Sequence, residues 1–361
     1  MAQNFNYTTG MAVKALALEE YHVWDCSVIK AKGKYHMFSS RMPKALGFRW
    51  LFDSEIIHCV SDTPQGPYHF QNVVFPRRGR GYFDGMDTHN TCIKEYNGKY
   101  YLYYMGTTYN GEIPKRQEDE IRYREFQLET WNRKRIGLAV ADDIDGEFKR
   151  LDEPILLPRD CSKWDCTCTT NPTVAILPDG KTYMMYKSRS SVNSPLQLGV
   201  AVADAPDGKF ERLTENPIFQ FDDPNMFVED PFLWYDSARK KFCILAKDDS
   251  RNGVYGITGE KGAGFYAESD DCIHFEIGDN PKVYTKHVKW ADGTEDTLDK
   301  FERPSLIFDE KGVPTHLYCA GGIHGESYAF IGGSYVTCTS LQPTLKMSDK
   351  SQNMVYNKIE S

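Results

Sequence analysis

Four acidic residues stand at the beginnings of strand-like segments that are far apart in the chain: Asp25, Glu229, Asp230 and Glu302. Carboxyl groups that face one another across a cavity can cleave a glycosidic bond. One protonates the leaving oxygen, while the other activates water or attacks the anomeric carbon. Asp25 is the first candidate. This chemistry requires a fold that brings distant parts of the chain to one place.

Two repeated patterns indicate such a fold. A strand, turn and aromatic-rich strand occurs five times, at residues 25–39, 90–106, 171–188, 230–247 and 303–320. A second pattern, an apolar strand followed by a turn and an aromatic, occurs at residues 54–70, 135–148, 198–210 and 264–275. Self-similarity at a spacing of roughly 60 to 80 residues is typical of a radial repeat, because one four-stranded sheet cannot bury its own faces. The sequence predicts an all-β, five-bladed β-propeller of four-stranded antiparallel blades around a central channel, with residues 1–361 as a single domain.

In a propeller the innermost strands all begin at the same mouth of the channel, so the residues at the five strand starts converge. Apart from the acids, these residues are Trp24, His89, Asn90, Asn171 and Arg303. Trp24 fits either a stacking platform for a sugar ring or a core position. His89 fits a hydrogen bond to substrate or to Asp25, or a structural role. We predict that all five bind substrate.

Three cationic residues at the same end leave alternatives open. Arg303 is suited to a bidentate contact with a sugar carboxylate or paired hydroxyls, or to an ion pair with Glu302. Lys187 and Lys247 end the second strands of blades 3 and 4. We predict that they bind substrate, the alternative being extension of each ammonium into solvent.

The segments WDCSVIKAKGKYHMFSS, from Trp24, and VEDPFLWYD, from Val228, resemble motifs of the five-bladed glycoside hydrolases of family 43 and its relatives, families 32, 62 and 117. The resemblance covers the chain from about Trp24 to about Thr339. It implies that Asp25 is the general base and Glu229 the general acid.

One departure from the family 43 pattern leaves two candidates for the general acid, Glu229 and Glu302. Asn171, in NPTV, stands where family 43 has an aspartate that tunes the pKa of the acid. Asp230 can take that role by like-charge proximity to Glu229. Alternatively, Asp25, Asp230 and Glu302 follow the family's chain order, which makes Glu302 the acid. Blade geometry favours Glu229, because blades 1 and 4 lie more nearly opposite than blades 1 and 5.

The resemblance implies an exo-acting, inverting glycoside hydrolase that removes a terminal sugar from a plant or algal oligo- or polysaccharide. The amide at Asn171 motivates an alternative, a carbohydrate-binding propeller without turnover. Relatives also allow a calcium ion in the channel. However, five convergent polar residues do not by themselves make an oxygen cage, so we expect no cofactor and no metal site.

The composition argues against some classes of binding partner. A net charge of −8 argues against nucleic acid as a partner, and no apolar run is long enough to span a membrane. Residues 1–10 lack the pattern of a signal peptide, which predicts a cytoplasmic chain as written, or a periplasmic or secreted one if a leader was removed. Residues 115–135 are mixed in charge and predict a solvated insertion, and no convincing helical periodicity is present anywhere.

Overall fold

Five four-stranded antiparallel sheets form the blades of a propeller, as the repeats predict. The structure is a computed structural model that describes residues 4–192, 194–254, 256–324 and 330–344. Blade 1 consists of β2 (Tyr21–Ala31), β3 (Lys34–Pro43), β4 (Glu55–Ser61) and β5 (His69–Val73). Blade 2 consists of β6 (Asp87–Tyr96), β7 (Lys99–Thr107), β8 (Arg135–Ala141) and β9 (Lys149–Arg150). Blade 3 consists of β10 (Thr170–Ile176), β11 (Thr182–Ser188), β12 (Gln197–Ala203) and β13 (Glu211–Arg212).

The last two blades follow the same plan with one change. Blade 4 consists of β14 (Val228–Asp236), β15 (Lys241–Asp248), β16 (Gly264–Ser269) and β17 (Glu276–Tyr284). A separate hairpin joins β18 (His287–Lys289) to β19 (Glu295–Thr297). Blade 5 takes β20 (Lys300–Phe308), β21 (Pro314–Gly322) and β22 (Tyr335–Pro343) from the end of the chain, and β1 (Tyr7–Leu16) from its beginning. The strand β1 pairs with β22 as the outermost strand, which closes the ring of blades.

The hydrophobic core lies between neighbouring blades. The strands in the middle of each blade are covered on both faces, so they are apolar over consecutive residues rather than at alternate ones. In β7, for example, Leu102, Tyr103, Tyr104 and Met105 are all buried. The five sheets therefore form a rigid frame around the channel.

Every innermost strand carries the same irregularity at its start. The antiparallel pairing slips near the start of each of β2, β6, β10, β14 and β20, and the slip marks a β-bulge. At this bulge one residue of each blade has a positive φ, between 48° and 61°: Asp25, Asn90, Asn171, Asp230 and Arg303. The left-handed backbone costs free energy in residues other than glycine, and such strain concentrates at functional sites. The bulges turn these five side chains toward the channel.

The insertion at residues 115–135 is not simply a solvated loop, since it contains the helix α1 (Glu120–Asn132). Asp119 caps this helix by accepting a hydrogen bond from the backbone N–H of Arg122. The helix packs its Tyr123 and Phe126 against Phe52. We expected no helix because α1 is polar on most of its surface and has no apolar stripe of helical period.

The domain prediction spans residues 1–361, of which 1–3, 193, 255, 325–329 and 345–361 lie outside the described residues. The described residues contain no helix with the length and hydrophobicity needed to cross a membrane.

Candidate active site

Five side chains, one from each blade, form a closed ring across the channel. We call Asp25, Asn90, Asn171, Asp230 and Arg303 the central ring. The Asn90 amide donates to Oδ1 of Asn171 at 2.8 Å, and the Asn171 amide donates to Oδ1 of Asp230 at 3.1 Å. Arg303 completes the ring, with Nη1 3.2 Å from Oδ1 of Asp230 and Nε 3.0 Å from Oδ1 of Asp25. The backbone N–H of Asn90 donates to Oδ2 of Asp25 at 3.2 Å.

Asp25 belongs to the central ring and also lines the cavity above it. Its Oδ2 also accepts a hydrogen bond from the Ser40 hydroxyl at 3.1 Å. Burial raises the pKa of Asp25, and Arg303 opposes this shift by favouring the charged form. Its Oδ1 has no aligned hydrogen-bond donor. The contact with Arg303 is therefore an ion pair without hydrogen-bond geometry.

Glu229 and Glu302 meet at one lysine. Nζ of Lys247 lies 2.9 Å from Oε2 of Glu229 and 2.8 Å from Oε2 of Glu302. Lys187 approaches Glu229 from the neighbouring blade at 3.5 Å. Burial opposes the ionisation of Glu229, but Lys187 and Lys247 overcome it and hold the pKa of this carboxyl well below its usual value. Glu229 is therefore a carboxylate in this state.

Asp230 lies below the two glutamates and does not approach the cavity as openly. Its carboxylate is within 3.6 Å of Lys187 and 3.5 Å of Lys247, in addition to Arg303. These cations lower the pKa of Asp230 although burial opposes the shift. Asp230 is therefore charged, and it serves as an anchor for three cationic side chains.

The two lysines do not extend into solvent. The side chains of Lys187 and Lys247 are 6% and 5% exposed, and both ammonium groups point inward to carboxylates. Arg303 contacts Asp25 and Asp230 rather than Glu302. These contacts exclude extension of the two lysines into solvent and an ion pair of Arg303 with Glu302, whereas substrate binding by the three cations stays a prediction.

His89 is held by an acid that the sequence analysis did not single out. Nδ1 of His89 lies 2.8 Å from Oδ2 of Asp87, whose Oδ1 accepts the backbone N–H of Ser54. Burial lowers the pKa of His89 well below its usual value, so the imidazole is neutral. Its Nε2 is buried without a hydrogen-bond partner, as is Oδ1 of Asn90. Since both residues line the cavity, these atoms are available to a ligand.

The cavity above the central ring has a volume of about 580 Å³. All the predicted site residues line it, namely Trp24, Asp25, His89, Asn90, Asn171, Lys187, Glu229, Asp230, Lys247, Glu302 and Arg303. Trp24 is 6% exposed and packs on Phe48 and Phe330, so it serves the core as well as the cavity wall. A cavity of this size is within the range of small-molecule sites.

Sequence reasoning missed one wall of the cavity, which the insertion supplies. Tyr123, Gln127 and Trp131 of α1 line it, together with Lys134 just beyond the helix. The Asp119 cap and the pairs Arg116–Glu120 and Glu129–Arg133, each four residues apart, were helix signals present in the sequence. Nothing in the sequence placed that helix over the channel.

The central ring does not fit a calcium ion. Calcium binds six to eight oxygen atoms, whereas here the guanidinium of Arg303 lies on both carboxylates of the ring. The amide oxygen of Asn171 already accepts a hydrogen bond from Asn90. Arg303 therefore occupies the position beside Asp25 and Asp230 that a metal ion would need.

No family model matches the chain, and no curated protein matches it. Several solved structures match the chain in fold. A family 117 glycoside hydrolase from the marine bacterium Zobellia galactanivorans is 17% identical, with a TM-score of 0.63, over 99% of this chain and 96% of that one. A thermostable family-43 glycoside hydrolase is 14% identical, with a TM-score of 0.56, over 94% and 92%. The catalytic domain of a family 62 α-L-arabinofuranosidase from Coprinopsis cinerea is 11% identical, with a TM-score of 0.57, over 94% and 97%. These matches confirm the resemblance to the propeller glycoside hydrolases at the level of the fold.

Proposed function

We propose that this protein is a glycoside hydrolase that acts on an oligo- or polysaccharide. One observation carries the proposal: carboxyl groups from three blades, the buried Asp25 and the largely buried Glu229 and Glu302, line a single cavity of about 580 Å³. A cavity that only bound a neutral sugar would not need several carboxyl groups removed from water, because their burial is costly. The fold of known glycoside hydrolases supports the same conclusion by analogy.

Asp25 and Glu229 are the proposed catalytic pair. In the unliganded site, burial raises the pKa of Asp25, while Lys187 and Lys247 lower that of Glu229 against the effect of burial. A general acid must hold a proton and a general base must have lost one. These charges favour Glu229 as the base and Asp25 as the acid, the reverse of the order implied by the sequence resemblance.

The proposed mode of attack is exo. The central ring and α1 both line the cavity, and a pocket bounded by a floor and a wall suits a chain end. The proposed stereochemical outcome is inversion, which follows the similarity of Glu229-Asp230-Pro231 to the family 43 motif. The substrate would be a plant or algal glycan.

Aryl glycosides with good and poor leaving groups test the proposal and assign the roles. The substrates are dinitrophenyl and nitrophenyl arabinosides, xylosides and galactosides. The variants are Asp25→Asn, Glu229→Gln and Glu302→Gln. Loss of the acid slows release of the poor leaving group far more than that of the good one, whereas loss of the base slows both. We expect the leaving-group dependence in Asp25→Asn and a uniform loss in Glu229→Gln.

Two outcomes of the same assay would contradict these assignments. Leaving-group dependence in Glu302→Gln alone would make Glu302 the acid. Full activity in both Asp25→Asn and Glu229→Gln would exclude the assigned pair. Proton NMR of the first-formed anomer reports inversion or retention directly.

A further inference from the structure

The wall that the insertion contributes contains a buried lysine that no acid neutralises. Lys134 is 2% exposed and lines the cavity. Within the described part of the chain, no carboxylate lies within ion-pair distance of its Nζ, and the buried carboxyl of Asp87, whose pKa Lys134 lowers, contacts His89 instead. Lys187 and Lys247 in the same cavity each contact at least two carboxylates. Lys134 thus differs from the other buried cations of the site.

Two indole rings hold the ammonium of Lys134. Its Nζ lies 3.5 Å from the ring centroid of Trp131 and 5.2 Å from that of Trp50. Both rings also line the cavity. An aromatic face attracts a cation but does not replace the hydrogen bonds that an ammonium makes in water. The Nζ atom therefore keeps its hydrogen-bonding capacity for a group that enters the cavity.

Two arginines of this region also lack a carboxylate partner among the described residues. Arg189 stacks on Trp131 at 4.0 Å from the ring centroid, and its guanidinium donates to the amide oxygen of Asn132 and the carbonyl of Val192. Arg124 of α1 lines the cavity. Glu229 and Glu302 also line the cavity, but both have lysine partners. A ligand in the cavity therefore meets carboxylates that are already paired and cations without a carboxylate partner among the described residues.

We propose that the cavity takes a sugar with an anionic substituent, the carboxylate of a uronic acid or a sulfate ester, and that Lys134 binds this substituent. The inference rests on the proposed function for the identity of the ligand as a sugar. Burial lowers the pKa of Lys134 well below its usual value, and Lys187, Arg303 and Arg189 lower it further, against an opposing effect of Cys168. A bound anion would offset each of these contributions, so anion binding and protonation of Lys134 favour one another.

Binding measurements that need no turnover test this inference. Isothermal titration or ligand-observed NMR measures the affinity of the wild-type protein and of Lys134→Met for each sugar. The comparisons are galacturonate with galactose, glucuronate with glucose, and glucose 6-sulfate with glucuronate and with glucose. A charge-assisted hydrogen bond should favour the anionic sugar by about tenfold or more. The preference should disappear in Lys134→Met. The uronate and sulfate arms identify which anion the site accepts.

Lys14 offers a control at a solvent-exposed position. It also lies over two rings, Trp290 and Tyr335, at 5.5 and 4.6 Å, but it does not line this cavity. Lys14→Met should leave the preference unchanged. Thermal unfolding separates binding from structure: Lys134→Met should keep or raise the melting temperature, because it removes a buried ammonium that no acid compensates.

The outcomes are distinct from those of the hydrolysis assay. Equal affinity for acidic and neutral sugars overturns the inference, even if the protein hydrolyses glycosides. An unchanged preference in Lys134→Met also overturns it. A preference for anions that depends on Lys134, without hydrolysis of any glycoside, supports this binding site and contradicts the proposed catalysis instead.

Discussion

Nε of Arg303 lies 3.0 Å from Oδ1 of Asp25, so the side chain that closes the central ring also contacts the proposed general acid. The same guanidinium contacts Asp230 through Nη1. One cation therefore contacts two buried carboxyl groups that belong to different blades. The positive φ of 61° at Arg303 adds backbone strain that these contacts must offset.

Replacing Arg303 by methionine should destabilise the fold by about 3 to 5 kcal/mol, because it leaves two buried carboxyl groups without their partner. Urea unfolding at pH 7 measures the change. Arg303→Lys should recover part of the loss. Arg133→Met, which breaks the exposed pair with Glu129, should cost less than about 1 kcal/mol. Equal losses at the two sites would show that the central ring has no special energetic role.

Lys247→Met should raise the pKa of Glu229, because it removes one of the two lysines that hold this carboxyl ionised. If Glu229 is the base, the acidic limb of the kcat/KM profile moves to higher pH. Carbon-13 NMR titration of the glutamate carboxyls checks the pKa independently. The comparison variant is Lys300→Met, whose ammonium lies 3.7 Å from Glu302 and is more exposed. An unmoved Glu229 titration in Lys247→Met would contradict the electrostatic account.

Asn171→Asp should destabilise the protein without creating a better active site. The new carboxyl group would lie about 3.1 Å from Oδ1 of Asp230 and would lose the amide donor that now contacts it. Like-charge proximity and burial raise the pKa of the new group above the value of about 3.9 in the unfolded chain. The variant's stability relative to wild type should therefore fall as the pH rises from about 4 through the folded pKa.

Urea unfolding at pH 5 and pH 8 measures this trend. Asn97→Asp is the control, since Asn97 also has a positive φ, of 51°, but lies exposed in a turn. A deficit in Asn171→Asp that does not grow between these pH values would contradict the prediction.

The sequence was sufficient to predict the blades and the strand starts that meet at the channel. Repeats report local structure, and each of Asp25, Asn90, Asn171, Asp230 and Arg303 begins one copy. The contacts among them could not be predicted, because the partner of Arg303 depends on the directions of side chains from three blades. Asp87 escaped notice for a similar reason: its role comes from its contact with His89 and not from its place in a repeat.

Two larger features were also outside the reach of the sequence. The helix α1 contacts the propeller through a few aromatic residues such as Tyr123 and Phe126, so it lacks the apolar period that identifies a core helix. The pairing of β1 with β22 joins segments from opposite ends of the chain. Neither segment has a local sequence pattern from which its pairing with the other could be predicted.

Two buried histidines should make the protein lose stability in mild acid. Burial lowers the pKa of His22 to about 4, and burial with the neighbouring His36 lowers that of His58 to about 4. The unfolded chain therefore binds more protons than the folded one between pH 6.5 and 4, and stability falls as the pH falls through this range. The loss should be roughly 2 kcal/mol for each histidine by pH 5.

Denaturant unfolding at pH 7, 6 and 5 measures this dependence. His58→Phe, which keeps an aromatic ring stacked on Phe38, should weaken it. A stability that stays constant from pH 7 to pH 5 would rule out two neutral buried imidazoles.

The union of the first and last strands has a consequence for biosynthesis. Thr8 pairs with Gln342, which the ribosome adds 334 residues later. At about 5 to 20 residues per second, β1 waits roughly 20 to 70 seconds for its partner. Until then the nascent propeller is an open arc whose terminal strands expose unpaired backbone groups, and such edges invite association between chains. Translation products that lack β22 should therefore aggregate, whereas a chain that includes β22 pairs it with β1.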